Sequence, residues 1–171
     1  MTTEINRRKF LELSLAGSSA LALASLLPAG CARYPAPPTD LKVLSAKEYQ
    51  VLRTIADRMI PRGGAFPAGA EDANVAKLLD SFFAGDVESN KKQLKMALAL
   101  FEHGPLFFNF KFSRFTGLPP QEQDEYMEGW AKSRLGFRRT IYMVLKKGIF
   151  MTFYSQPVSW SAIGYDGPWV K

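Results

Sequence analysis

The chain has 171 residues and a formal net charge of +6. Hydrophobic residues make up 47%, too many for a disordered chain, while one cysteine and one histidine exclude an intramolecular disulfide, a cysteine-based zinc or iron–sulfur site, c-type haem attachment and a histidine cluster. Aromatics at 13%, with 13 Phe among them, imply a dense aromatic core or an aromatic surface shown to a partner.

Residues 1–32 read as an address. A basic start, Asn6-Arg7-Arg8-Lys9-Phe10-Leu11, precedes an uncharged stretch of Ala, Ser, Leu and Gly over residues 13–32. Arg7 and Arg8, followed by Phe10 and Leu11, resemble the twin-arginine export motif, which implies the twin-arginine machinery as a partner and a periplasmic destination. A permanent membrane anchor is the competing reading. The stretch is long enough to span, but its small polar content and Pro28 make insertion weakly favourable. Leu27-Pro28-Ala29-Gly30-Cys31 resembles a lipoprotein processing site, with Cys31 the candidate lipidation residue. Pro28 stands where an aliphatic residue is usual, and ordinary cleavage near Ala32 is the alternative. One lipid chain would hold a protein to a membrane only together with a second attachment.

Residues 33–43 carry Pro35, Pro37 and Pro38 and predict an extended linker. The domain that follows, residues 44–171, reads as all-α: a small bundle of about five helices with an aromatic extended loop and an irregular aromatic C-terminal tail. Ser45-Ala46-Lys47-Glu48 is a capping box, and the helix after it puts Val51, Leu52, Ile55, Met59 and Ile60 on one side before Pro61 stops it. A second helix is predicted over 74–83, with Val75, Leu78, Leu79 and Phe82 inward. A third is predicted over 87–102, with Leu94, Ala97, Leu98 and Phe101 as its stripe and His103-Gly104-Pro105 as its end. His103 there would cap the helix C-terminus.

Phe107, Phe108, Phe110, Phe112 and Phe115 crowd the next stretch. The alternation through Phe108, Phe110 and Phe112 predicts an ordered extended loop or a short hairpin. Pro119-Pro120 with Glu122, Asp124 and Glu125 predicts a helix start, and Tyr126, Met127 and Trp130 give that helix an apolar face. A last long helix is predicted over 133–153, with Phe137, Ile141, Val144, Leu145, Gly148 and Met151 at helical spacing. Its Arg138, Arg139, Lys146 and Lys147 exclude an ordinary membrane span. In the tail, Trp160, Tyr165 and Trp169 supply large apolar area among turn residues, to wrap the chain's own helices or to dock on a partner.

No catalytic, cofactor-binding or metal-ligating pattern is found. Gly63-Gly64 lacks the flanking strand and helix of a phosphate loop, and there is no serine elbow or metal-binding histidine pair. The paired positives Lys91–Lys92, Arg138–Arg139 and Lys146–Lys147 read as solvated helix faces. Phe107 to Phe115 with Lys111 and Arg114 could stack on single-stranded nucleic acid, but an exported chain is not expected to meet it.

Several segments resemble gluconate 2-dehydrogenase subunit 3. They are Leu44-Ser45-Ala46-Lys47-Glu48-Tyr49, Ile55-Ala56-Asp57-Arg58-Met59-Ile60-Pro61, Phe101-Glu102-His103-Gly104-Pro105, Gly129-Trp130 with Ser133-Arg134, and Ile163-Gly164-Tyr165-Asp166-Gly167-Pro168-Trp169. The resemblance implies a non-catalytic small subunit. In that family a large subunit of the glucose–methanol–choline type holds FAD and oxidises the sugar or alcohol, and a cytochrome c subunit, with haem c, usually takes the electrons. The small subunit supports export, maturation or stability of the flavoprotein. An independent periplasmic lipoprotein or enzyme with no flavoprotein partner is the alternative. Candidate interface residues are Phe107, Phe108, Phe110, Trp160, Tyr165 and Trp169.

Overall fold

The computed structural model describes residues 34–109 and 112–168, all within one compact unit that begins at Tyr34. Arg7, Arg8, Phe10, Leu11, Cys31, Phe110 and Trp169 lie outside the described residues.

Six helices form the described domain: α1 (Ala46–Met59), α2 (Val75–Ala84), α3 (Glu88–Asn109), α4 (Pro120–Ala131), α5 (Gly136–Tyr154) and the short α6 (Pro157–Trp160). Two 3-10 turns, Phe115–Gly117 and Ser161–Ile163, complete it, and no strand occurs among the described residues. The expected helical bundle therefore stands, with one more short helix than the sequence suggested.

The predicted capping box starts α1. The Glu48 amide donates to Ser45 Oγ at 3.4 Å, and the Ser45 amide donates to Glu48 Oε2 at 2.8 Å. Val51, Leu52, Ile55 and Ala56 are buried along its inner side. Pro61 cannot continue the helix, and the following loop folds back tightly, with the Ala70 amide donating to the Ile60 carbonyl at 2.8 Å. Gly69 is required there, because a Cβ would meet the Arg62 nitrogen at 2.6 Å and the Ile60 oxygen at 2.9 Å. Asp72 stitches the loop by accepting from the Gly69 amide and pairing with Arg62.

In α2 the buried set is Val75, Ala76, Leu79 and Asp80, whereas Phe82 is 72% exposed. The expectation that Phe82 faces inward is corrected. Asp80 occupies the inward position one turn after Ala76, because its carboxylate holds the preceding strap. It accepts from the amides of Lys42 at 2.6 Å, Val43 at 2.9 Å and Leu44 at 2.7 Å. The Pro-rich stretch is thus fastened to the helices at its end.

The third helix does not stop at residue 102. It runs through His103, Gly104 and Pro105 to Asn109, so His103 is an interior residue and caps nothing. Pro105 removes the amide that would have served the Phe101 carbonyl four residues earlier. The Tyr126 hydroxyl from α4 replaces it, donating to Phe101 O at 3.0 Å. Gly104 leaves the space that hydroxyl fills, since a Cβ there would overlap the Tyr126 oxygen. A side chain from another helix therefore supplies what the proline took away.

The predicted aromatic extended loop is also revised. Phe107 and Phe108 are helical, Phe112 and Ser113 bend, Arg114 is extended, and Phe115 is buried in a 3-10 turn. Phe101, Phe115, Tyr126 and Trp130 form the aromatic heart of the core. Ring centroids lie 4.9 Å apart for Phe101–Phe115, 5.3 Å for Phe101–Tyr126 and 4.6 Å for Phe101–Trp130.

The last long helix buries Leu145, Ile149 and Phe153, spaced by four. Of the residues set at helical spacing, only Leu145 is fully buried. Phe137, Val144 and Met151 are exposed, the last at 70%, and Ile141 is half-buried. Gly148 faces α2, where a Cβ would only touch Leu79 Cδ2 at 3.5 Å. The tail begins with α6 and a 3-10 turn before its irregular end. Ser159 Oγ donates to the Phe153 carbonyl at 3.1 Å, and Trp160 Nε1 to the Tyr154 carbonyl at 3.1 Å, so this part of the tail packs on α5.

Candidate functional site

Two aromatic clusters contain the described members of the expected interface. At the start of α5, Phe108 packs edge-on against Trp130 at 6.0 Å and lies 6.3 Å from Phe137. The Arg138 guanidinium sits over both Phe108, at 4.5 Å, and Trp130, at 4.9 Å. Burial holds the Arg138 pKa below the ordinary arginine value, and its Nε finds no hydrogen-bond partner among the described residues. Trp130 Nε1 lies near the Tyr126 hydroxyl without a well-formed hydrogen bond. Arg138 is half-buried, and Leu106, Phe107 and Phe137 are exposed, Phe107 at 65%.

At the other end of α5, Trp160 and Tyr165 stack edge-on at 5.4 Å. Gly167 is needed against the Trp160 ring, since its φ is +107° and a Cβ would meet ring carbon Cζ3 at 3.1 Å. Trp160 is half-buried and Tyr165 exposed, so the tail both covers its own helix and presents an aromatic edge.

These two clusters are not one patch. Phe108 meets α5 at Phe137, and Trp160 meets it at Tyr154. Seventeen residues of helix at about 1.5 Å each put roughly 25 Å between those attachment points. What lies between them is the outward side of α5. Val144 is 60% exposed, and Met143 and Met151 are exposed with it. The available signal was the pairing of this stripe with a second one at Leu145, Ile149 and Phe153. One helix carries two apolar stripes, and only one of them can face the core.

The ionisable groups near the core are engaged in structural contacts. Glu102, fully buried on α3, accepts from the Tyr34 hydroxyl at 2.8 Å, the Thr116 hydroxyl at 2.7 Å and the Thr116 amide at 3.1 Å. Arg114 Nη1 donates to the Tyr34 oxygen at 2.8 Å. Burial, first, and the bond to Glu102 raise the Tyr34 pKa. His103 Nε2 is 2.9 Å from Lys47 Nζ. Burial lowers the His103 pKa and the Lys47 charge lowers it further, so the imidazole is held neutral. Asp80 holds the strap. No group of three or more His, Cys, Asp or Glu residues placed to hold a metal occurs among the described residues. No described helix is long and apolar enough to cross a membrane. The arrangement offers apolar and cationic contact area, which is the chemistry of binding.

A family model described as gluconate 2-dehydrogenase subunit 3 matches residues 46–167, from the first turn of α1 to the glycine that packs on Trp160. No curated protein and no solved structure matches the chain.

Proposed function

The chain belongs to the gluconate 2-dehydrogenase subunit 3 family, named as a subunit of a dehydrogenase complex, and we propose that it is a non-catalytic accessory subunit. It binds an FAD-dependent sugar or alcohol dehydrogenase of the glucose–methanol–choline type and supports that flavoprotein's export, maturation or stability in the periplasm. FAD belongs to the partner, and haem c to a cytochrome c subunit that receives its electrons.

The observation that carries the reading is the family match across residues 46–167. Two structural facts support it. The buried carboxylates of Asp80 and Glu102 and the imidazole of His103 are spent on holding segments of the chain together. Large apolar side chains, by contrast, stand exposed along one long helix and at both of its ends. A chain that hides its polar chemistry and shows its apolar area is built to be covered by another protein. The arginine pair at Arg7 and Arg8 supports the export part, because folded cargo carried with this chain would need no signal of its own.

Deletion of Arg7 and Arg8 tests the export role. Both this chain and the copurifying flavoprotein are expected to remain in the cytoplasm, read by fractionation and FAD fluorescence. A flavoprotein that still reaches the periplasm ends the escort reading.

A further inference from the structure

We propose that the outward face of α3, with the bend that follows it, docks on the surface of an anionic phospholipid bilayer. This goes beyond the accessory-subunit reading and does not depend on it.

On α3, Lys92, Met96, Ala99, His103 and Leu106 recur at alternating steps of four and three, so they share one face, with Phe107 beside its far end. The face runs about 22 Å from Lys92 to Phe107. Met96 is exposed on it, as are Leu106 and Phe107, and Phe112 in the following bend is 99% exposed. A ring that bare projects from the domain. The bilayer interface accepts such a side chain without a pocket cut to fit it.

Cations border the same face. Lys42, Lys91, Lys92 and Lys95 line a concavity of about 320 Å³ at the start of α3, together with Val43 and Glu88. Further along, Lys47 Nζ lies 2.9 Å from His103 Nε2, and Arg114 donates to the Tyr34 oxygen. The carboxylates nearby are already engaged. Glu88 is 2.8 Å from Lys91, Glu48 accepts from the Ser45 amide and lies 3.8 Å from Lys95, and Glu102 is taken by Tyr34 and Thr116. Lys42 and Lys92 form no ion pair among the described residues. Lysines gathered in this way on a half-apolar face match the phosphates of anionic lipid.

The path of the chain selects a bilayer over an acidic protein. Residues 1–33 join the described domain at Tyr34, whose hydroxyl donates to Glu102 on α3 and accepts from Arg114, two residues after Phe112. Cys31, the candidate lipidation residue, precedes Tyr34 by three residues, at most about 10 Å of extended chain. A lipid on Cys31, or the uncharged stretch over 13–32 if it is retained, delivers a membrane to this end of α3. One lipid chain needs a second attachment to hold, and the lysines and rings of this face supply it.

A photo-crosslinking amino acid placed singly at Met96 and Phe112 of the full chain tests the assignment, with Phe82 on α2 and Val144 on α5 as exposed control positions. The probes are vesicles of phosphatidylcholine alone and of phosphatidylcholine with equimolar phosphatidylglycerol. Lipid crosslinks from Met96 and Phe112 are expected to be about tenfold more abundant on the anionic vesicles than on the neutral ones, and to exceed those from both controls. Lys42→Gln combined with Lys92→Gln should lower them about tenfold. The thermal midpoint should stay unchanged, because neither lysine has an ion pair to lose. Attachment through residues 1–33 alone does not reproduce this pattern. Crosslinks that are equal at all four positions, equal on both vesicles or indifferent to the lysines would overturn the proposal, as would the absence of lipid crosslinks from Met96 and Phe112. Crosslinks from those two positions to a protein in native membranes would also overturn it, and would assign the face to a partner subunit.

Discussion

Asp80 shows how one side chain fixes the path of the chain. Its two oxygens accept three consecutive backbone amides, of Lys42, Val43 and Leu44, just before α1 begins. Leu44 and Asp80 are both buried, so water is a poor substitute for the carboxylate. Asp80→Ala removes the acceptor and leaves amides stranded against the core. The expected loss is about 3–5 kcal/mol, since each buried donor left unsatisfied costs about 1–3 kcal/mol and some will find water. Urea denaturation of the full chain measures it. A loss below about 1 kcal/mol would mean that the strap is held by packing alone. Nothing in the local sequence announced this role. Within Val75–Ala84, apolar character favours an inward set of Val75, Leu78, Leu79 and Phe82, whereas the inward face includes Ala76, Leu79 and Asp80. The difference is a rotation of the helix that brings a carboxylate to a segment more than thirty-five residues earlier. Single-helix periodicity contains no term for such a distant partner.

At the level of elements, α3 is the informative case. Gly104-Pro105 reads locally as a stop, because the proline removes an amide and crowds the preceding turn. The helix continues because Tyr126, on a helix that follows in the chain, restores the bond to the Phe101 carbonyl. Gly104→Ala is a sharp probe of that device. On helix propensity alone, alanine should stabilise by about 1 kcal/mol. Here the added methyl overlaps the Tyr126 oxygen and crowds Phe108 Cδ2 at 3.2 Å, so the sign reverses. A net loss of about 2–3 kcal/mol is expected from overpacking and the displaced hydroxyl. In the Tyr126→Phe background the same change should cost less, because the overlapping oxygen is gone. A double-mutant cycle by thermal denaturation reads this coupling, and simple additivity would refute it. Element existence was largely legible: the capping box, the proline start of α4 and the apolar set Tyr126, Met127 and Trp130 are found where the pattern put them. What escaped was orientation. The two apolar stripes of α5 look alike in sequence, and only its neighbours on α2 and α4 select Leu145, Ile149 and Phe153 for the interior.

For the molecule as a whole, the packing around His103 predicts how stability varies with pH. The imidazole lies on α3, faces Lys47 from α1, and has Glu102 and Arg114 as its other charged neighbours. Lys47 can only donate, so Nε2 must accept, which requires the neutral ring. Burial and then the Lys47 charge lower the folded-state pKa, Arg114 adds to this, and Glu102 opposes it. Protonation is therefore easier in the unfolded chain, whose histidine titrates near pH 6.5. As pH falls through that value the unfolded state takes up the proton first, and stability declines until the folded pKa is also passed. The depressed carboxylates of Asp40, Asp72 and Glu88, held down by Lys77, Arg62 and Lys91, contribute in the same direction only at lower pH, around and below the ordinary carboxylate range. The two windows separate the causes. The thermal midpoint of the unmodified chain is expected to drop between about pH 7 and pH 5. His103→Gln keeps an acceptor for Lys47 but carries no proton to gain, so its midpoint should hold level across that interval and then fall with the carboxylates. Parallel curves for the two proteins would place the pH response elsewhere and show that the α1–α3 contact does not depend on a neutral ring.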